Sequence, residues 1–456
     1  RRPAYPVAIA TGLLLLLVSG RYGYHRDELY FLQAGRHLDW GYPDQPPLTP
    51  LLARIMSWLA PHSLVLLRLP STLSAAAVVL LSGVLAERLG ARRSGQWLAT
   101  IATAMCGFVL AIGHLLSTAT TNLLGWVVIT YLVVRLLQGA DRRLWLLVGL
   151  VAGITFQANV LVAFLLLALA FSSAVVGPRT LGPWVAGVIA FVIGLPYLVW
   201  QGQHGWPQLD VARDIAGGGS ASSVPRALLV PFFVLQVGPF LLPLWVVGLR
   251  RILREAQLRV LGVSFLLLAV VFVVTGGKPY YLGGLVPLLL AAGAQPVVDR
   301  TRRWVPAALL ALSTPALLFT LPVVPATSAG WVLAVNPDAG ETIGWPSFVR
   351  QVQAVVPPGD VIVTGNYGEA GALLRFGHER VYSGHNGFWL WAVPPGTTEA
   401  LTVGVDQRLL ARHCSQVVDV GRIDLPVDND ENGTALRTCT PRRPWAELWK
   451  DFRHLG

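Results

Sequence analysis

Residues 21–50, RYGYHRDELYFLQAGRHLDWGYPDQPPLTP, decide how this chain is read. Thirty residues rich in charged, aromatic and turn-forming side chains stand between an apolar run at Ala4 to Gly20 and another that begins near Ser63. So many polar groups are costly beside a bilayer and have little structural use there. Adjacent acids, Asp27 and Glu28, open a segment whose apolar residues Leu29, Phe31, Leu32 and Leu38 predict a helix lying along a membrane surface. This combination reads as an active-site loop.

The surrounding composition is that of a polytopic membrane protein. Of 456 residues, 54% are hydrophobic and 13% charged, against about 25% charged in globular domains, and the mean hydropathy is +0.57. The net charge of +11 would ordinarily raise nucleic-acid binding. Here the arginines gather in short clusters between apolar spans, which argues for a lipid bilayer and against nucleic acid as the partner. Spans are predicted at 4–20, 64–86, 95–115, 120–138, 143–158, 159–176, 182–200, 224–248, 258–275, 280–297 and 304–323, several near the ~20 residues a bilayer requires. The basic residues Arg1/Arg2, Arg88/Arg92/Arg93, Arg142/Arg143, Arg179, Arg250/Arg251/Arg254/Arg259 and Arg300/Arg302/Arg303 fall at alternate connections. The positive-inside rule makes those connections cytoplasmic. The N-terminus is then inside, while loop 21–50 and everything after about residue 324 are extracytoplasmic. The first span is read as a retained helix, since Ser19-Gly20-Arg21 is a poor cleavage site.

A membrane domain, 1–324, is expected to give way to a soluble α/β domain, 327–456, where long Leu/Val/Ala runs yield to Pro-rich, mixed-charge sequence. Short strand-like runs at 361–363, 400–405 and 416–420 flank a helical stretch at 369–376. Cys414 and Cys439 share this external part, where disulfides persist, and a bridge between them is expected, with two buried thiols as the alternative. Cys106 reads as a small buried residue within a span. The turn TGNYGEAGALLRF spaces its glycines GxxGxxG, and strand-to-helix packing explains them better than nucleotide binding. No His/Cys spacing indicates structural zinc.

With this topology the polar residues of one face form a layer: loop 21–50, Arg68, 117–122, Gln157, Asn159, 200–210 and 275–281. Lys278 stands out, because the chain has two lysines, Lys278 and Lys450, against 33 arginines. A compact ammonium with three donors suits a phosphate oxygen; a lysine snorkelling at a helix end is the plainer alternative. Asp27, held between apolar residues and the rigid turn GYPDQPP, is the candidate general base. Glu28 points about 100° away on a helix and is expected to act differently, bonding loop groups or helping to bind a cation. Among His25, His37, His114 and His204, the last is best placed to contact substrate.

These residues resemble the GT-C glycosyltransferases, specifically the family of dolichyl-phosphate-mannose–protein mannosyltransferases and bacterial aminoarabinose transferases acting on lipid A. The resemblance is carried by YHRDELYFLQAGRHLDWGYPDQPPL (24–48), LLRLPS (66–71), TNLLGWVVITYLVVRLL (121–137), GKPYYLGGLVP (277–287), and NYGEAGAL and SGHNGFWLW in the C-terminal part. It implies transfer of a sugar, with inversion, from a polyprenyl-monophosphate donor to a hydroxyl acceptor on protein, lipid or cell-wall glycan. It also implies Asp27 as the catalytic acid/base residue, Lys278 and Tyr281 as donor-phosphate contacts, and Arg68 and the Asp44 turn near the donor; Glu28 is kept beside Asp27 as a second candidate catalytic residue. Asn122 stands where the family commonly has an aspartate. It can hydrogen-bond a sugar but cannot act as a base, and Gln45 replaces a basic residue or histidine before the double proline. Participation of a divalent metal is left open. Two alternatives compete: a flippase for lipid-linked saccharides, which would need ionisable residues deep in the spans, and a glycan polymerase or ligase, which would need more external arginines.

Overall fold

The computed structural model describes residues 3–178, 180–219, 223–356 and 360–456. The expected basic markers Arg1, Arg2 and Arg179 lie outside the described residues. Among the described residues four helices are individually long and apolar enough to cross a membrane: Leu64–Arg88, Thr118–Leu137, Gly182–Gln203 and Pro279–Arg300. Ala4–Ser19, Leu144–Phe156, Val162–Val176, Arg259–Thr275 and Trp304–Thr320 are shorter apolar helices at the other expected positions. The chain is a multi-pass helical membrane protein with a small C-terminal sheet.

Two predicted spans are not continuous. The one expected over 224–248 bends by 85° between Arg226–Val237 and Pro239–Arg254. Gly238 takes φ +114°, and Pro239 brings no N–H to carry the helix ladder across the break. The one expected over 95–115 bends by 56° between Arg93–Ala104 and Gly107–Gly113. Cys106 therefore sits buried at a break, as the N-cap of the second piece. Amphipathic Leu48–Leu59, absent from the predicted spans, exposes Leu51, Ile55, Trp58 and Leu59.

The connections carrying Arg92, Arg251 and Arg300 meet at one end of the bundle. Arg251 donates to the carbonyls of Leu89 (2.7 Å) and Ala292 (3.2 Å), and Arg92 pairs with Asp299. At the opposite end, Arg21 donates to Val323 O and Tyr22 to Val324 O, tying loop 21–50 to the entry of the C-terminal part.

That part contains β1 (Val361–Thr364), β2 (Val381–Ser383), β3 (Ala400–Val403), β4 (Cys414–Arg422) and β5 (Ala435–Pro441) in the order β2-β1-β3-β5-β4. β1 is parallel to β2 and β3, with Ile362 opposite Val381 and Leu401; β5 is antiparallel to β3 and β4. β1 is buried throughout, as a strand covered on both faces must be. Its alternate residues enter different cores. Val361 and Val363 pack with Trp445, Leu448 and Trp449, while Ile362 packs with Phe348, Ala370 and Leu373. Cys414 and Cys439 are disulfide-bonded across β4 and β5, Cα atoms 5.5 Å apart.

The second of these cores crosses into the loop that opened the sequence. Leu29, Tyr30 and Phe31 of the Arg26–Ala34 helix join Phe348, Leu373 and Phe388 in it. Contrary to expectation, protein and not the membrane surface covers the apolar side of this helix, and Leu38 lies beyond its end, exposed.

Candidate active site

The Arg26–Ala34 helix begins with a reciprocal cap. His25 Nδ1 accepts from the Asp27 amide (3.2 Å), and Glu28 Oε2 accepts from the His25 amide (2.9 Å). The cap turns the two adjacent acids in different directions. Asp27 remains 45% exposed at the side chain, whereas Glu28 is fully buried.

Glu28 meets four donors. Its Oε1 accepts from Arg68 Nε (2.8 Å) and the Leu116 amide (2.9 Å); its Oε2 accepts from Arg68 Nη2 (2.8 Å) and the His25 amide. Arg68, also 0% exposed, donates further to Ser19 O (2.7 Å) and Gly23 O (2.6 Å). Burial would raise the Glu28 carboxyl, but Arg68 and the two amides hold it below the usual carboxylate range. The pair bolts the loop to the first helix and the Leu64–Arg88 helix. Neither residue reaches a surface, which differs from the catalytic and donor-phosphate contacts expected of them.

Asp27 is held differently. Its Oδ1 accepts from the Tyr367 hydroxyl (2.8 Å), a residue of the sheet-bearing part, while Oδ2 has His25 Nδ1 3.9 Å away. Asp27 acts electrostatically on Asp44 and on the Tyr280 hydroxyl. Asp44 accepts from the Tyr30 hydroxyl (2.7 Å), and burial pushes its carboxyl up to about 7 despite that donor. His25 Nε2 faces Asp338 Oδ1 at 3.6 Å, and Asp338 in turn feels Lys278. Burial lowers His25, but Asp338, Asp27 and Glu28 more than offset it and raise the imidazole to about 9.

Electrostatics links the loop to the 275–281 segment, Asp27 acting on Tyr280 and Lys278 on Asp338, which faces His25. Among the described residues the Lys278 ammonium makes no hydrogen bond or ion pair with a protein group, while its carbonyl accepts from the Tyr281 amide (3.1 Å). Tyr281 packs edge-on against Phe272 (5.3 Å) and Tyr280 (5.5 Å), beside Lys278. Asn122 lies inside the bundle on the Thr118–Leu137 helix, which packs Trp126 against Gly284 of the segment following Lys278; its Oδ1 is buried without a partner among the described residues. Gln45 is likewise buried, with both side-chain amide atoms unpaired among the described residues. His204 is drawn elsewhere, stacked on Trp200 (3.9 Å) with Nδ1 on the Trp200 carbonyl; Trp200 Nε1 donates to Asp39 Oδ2 (2.7 Å).

Residues that the sequence did not single out complete the layer. Tyr367 lies in the glycine-rich turn, whose glycines permit close packing. A Cβ on Gly368 would lie 3.0 Å from Arg26 Cβ, and one on Gly371 would lie 2.9 Å from the Leu29 backbone. The Tyr367–Arg375 helix thereby lies directly on the Arg26–Ala34 helix. Arg26, under the Tyr367 ring, pairs with Asp430 (2.7 Å) and nears Glu341 (3.5 Å) and Glu431 (3.9 Å). Nothing about Asp338 or Asp430 in sequence marks them as its neighbours. Although acids are numerous here, among the described residues no three His, Cys, Asp or Glu side chains converge as a metal site would require, so no step is assigned to an ion.

Comparison with known proteins agrees with this architecture. Residues 44–200 match the family model for dolichyl-phosphate-mannose-protein mannosyltransferase. The whole structure is similar to ArnT from Cupriavidus metallidurans in the apo state, with a TM-score of 0.64 and 14% identity over 95% of this chain and 97% of that one. It is also similar to ArnT from the same organism bound to undecaprenyl phosphate, with a TM-score of 0.62 and 15% identity over the same shares. No curated protein matches the sequence significantly. From its apolar helices to its C-terminal sheet, this chain has an ArnT-like fold.

Proposed function

We propose that this protein is an inverting glycosyltransferase that moves a sugar from a polyprenyl-monophosphate donor to a hydroxyl acceptor on the outer face of the membrane. The observation that carries the reading is Asp27: a half-exposed carboxylate with one oxygen held by Tyr367 and the other, among the described residues, without a hydrogen-bonding partner, in an ArnT-like fold. The donor class rests on the names of the relatives, one a structure with undecaprenyl phosphate and one a dolichyl-phosphate-mannose family.

In this mechanism Asp27 Oδ2 accepts the proton of the acceptor hydroxyl as its oxygen attacks the anomeric carbon. The bond from that carbon to the phosphate oxygen breaks, and the electron pair leaves with the polyprenyl phosphate. Lys278 meets the charge growing on the departing phosphate, with Tyr281 as a hydroxyl donor beside it. Asp44, protonated in part near neutral pH, can donate to or accept from a sugar hydroxyl. Glu28 and Arg68 keep the loop in register without touching substrate. His204 and Asn122 are assigned no catalytic step. The N-terminus is placed in the cytoplasm by the arginine clusters, which puts Asp27 and the C-terminal domain, 327–456, outside.

The test is purified protein with a panel of undecaprenyl-phosphate hexoses and pentoses, scoring release of undecaprenyl phosphate. Asp27→Asn is expected to lose about 10²–10⁴-fold in rate, and Lys278→Ala to lose much of the remaining donor turnover. Full turnover by folded Asp27→Asn protein would refute the base; outward movement of intact donor without bond cleavage would favour the flippase.

A further inference from the structure

Tyr367 is 340 positions from Asp27 in sequence and belongs to the other part of the molecule. Its ring is fixed on several sides: Tyr30 at 5.1 Å, His385 at 4.7 Å and the Arg26 guanidinium over its face at 5.4 Å. Tyr30 is itself pinned, donating to Asp44 and accepting from the Gly387 amide (3.2 Å). The hydroxyl consequently reaches Asp27 Oδ1 from a rigid mount. Burial pushes the phenol well above its ordinary value, so it stays a donor.

A terminal carboxylate torsion is broad and roughly two-fold, so an unsupported Asp27 would present either oxygen in many orientations. One hydrogen bond to Oδ1 removes that freedom and leaves Oδ2 as the oxygen able to take a proton. We propose that Tyr367 is the positioning residue for Asp27, so that the C-terminal part completes the active site instead of merely covering it. This inference rests on reading Asp27 as the general base.

The test uses the full chain in detergent and the donor turned over in the panel, with kcat, KM and the pH profile measured for Tyr367→Phe. The ring contacts survive that change and the hydroxyl does not. Loss of a hydrogen bond to a charged group predicts a fall in kcat of about 10-fold or more with little change in KM. It also moves the acid limb of the kcat profile upward by about one pH unit, since the carboxylate loses a donor. Fluorotyrosine placed at 367, a more acidic donor of nearly the same shape, should move that limb downward and supports the inference even if Tyr367→Phe folds poorly. Wild-type kcat and an unmoved acid limb in both variants would overturn it, as would a kcat loss that only follows the loss of folded protein. Asp27→Asn, assayed in parallel, separates the two claims. An inactive Asp27→Asn beside a wild-type Tyr367→Phe removes only the positioning role, whereas an active Asp27→Asn removes the base beneath it.

Discussion

Replacing Glu28 with Gln should damage stability, although its neighbour Asp27 should tolerate the equivalent change. Glu28 receives four donors, two on each oxygen, and both it and Arg68 are wholly buried. Glutamine keeps one oxygen and puts an NH2 where the second stood. Two donors, one from Arg68 and one backbone amide, then face another donor, and the guanidinium keeps its charge without a counter-ion. Removing one member of a buried pair costs about 3–5 kcal/mol. The Ser19 and Gly23 carbonyls still accept from Arg68, so the lower half of that range is expected. Asp27→Asn leaves an oxygen for Tyr367 in a half-exposed site and should cost under about 1 kcal/mol. Denaturation in detergent, followed by tryptophan fluorescence, reads both. The double variant Glu28→Gln/Arg68→Met should recover at least about 1 kcal/mol relative to the sum of the singles, because the stranded charge is gone. A Glu28→Gln protein with the wild-type midpoint, or strictly additive singles, would refute the buried-pair account.

Gly371→Val should separate the Tyr367–Arg375 helix from the Leu29 backbone, lowering both the unfolding midpoint and transferase activity, while a valine at exposed Gly377 would bring strain but no such clash; a wild-type Gly371→Val would contradict the close packing. His25 supplies a pH test. Its value is raised from 6.5 to about 9 in the folded protein, so its contribution is fully present below pH 6.5 and is lost as pH rises through 9. The wild-type denaturation midpoint should therefore fall over that window, and His25→Gln should flatten the decline. Solvent around the two-thirds-exposed Asp338 will make the effect modest; equal slopes in the two proteins would remove the His25 linkage.

Sequence alone made the apolar runs legible, because hydropathy over some twenty residues is a local property and the bilayer imposes a fixed length. It also located the polar loop, the Asp27–Glu28 pair and the unusual Lys278. The breaks at Gly238 and Cys106 could not be read from hydropathy, since both lie within runs that remain apolar throughout. What each acid does was decided only by packing. Asp27 and Glu28 are neighbours of the same chemistry, yet one is sealed against Arg68, 40 residues away, and the other is held by a tyrosine from the far end of the chain. The glycines of NYGEAGAL were visible as a packing signal, but their partner proved to be the loop helix itself. Composition and periodicity thus determined which segments enter the membrane and which stay outside it. Contacts over hundreds of residues, which leave no local period, determined which carboxylate remained free to meet a substrate.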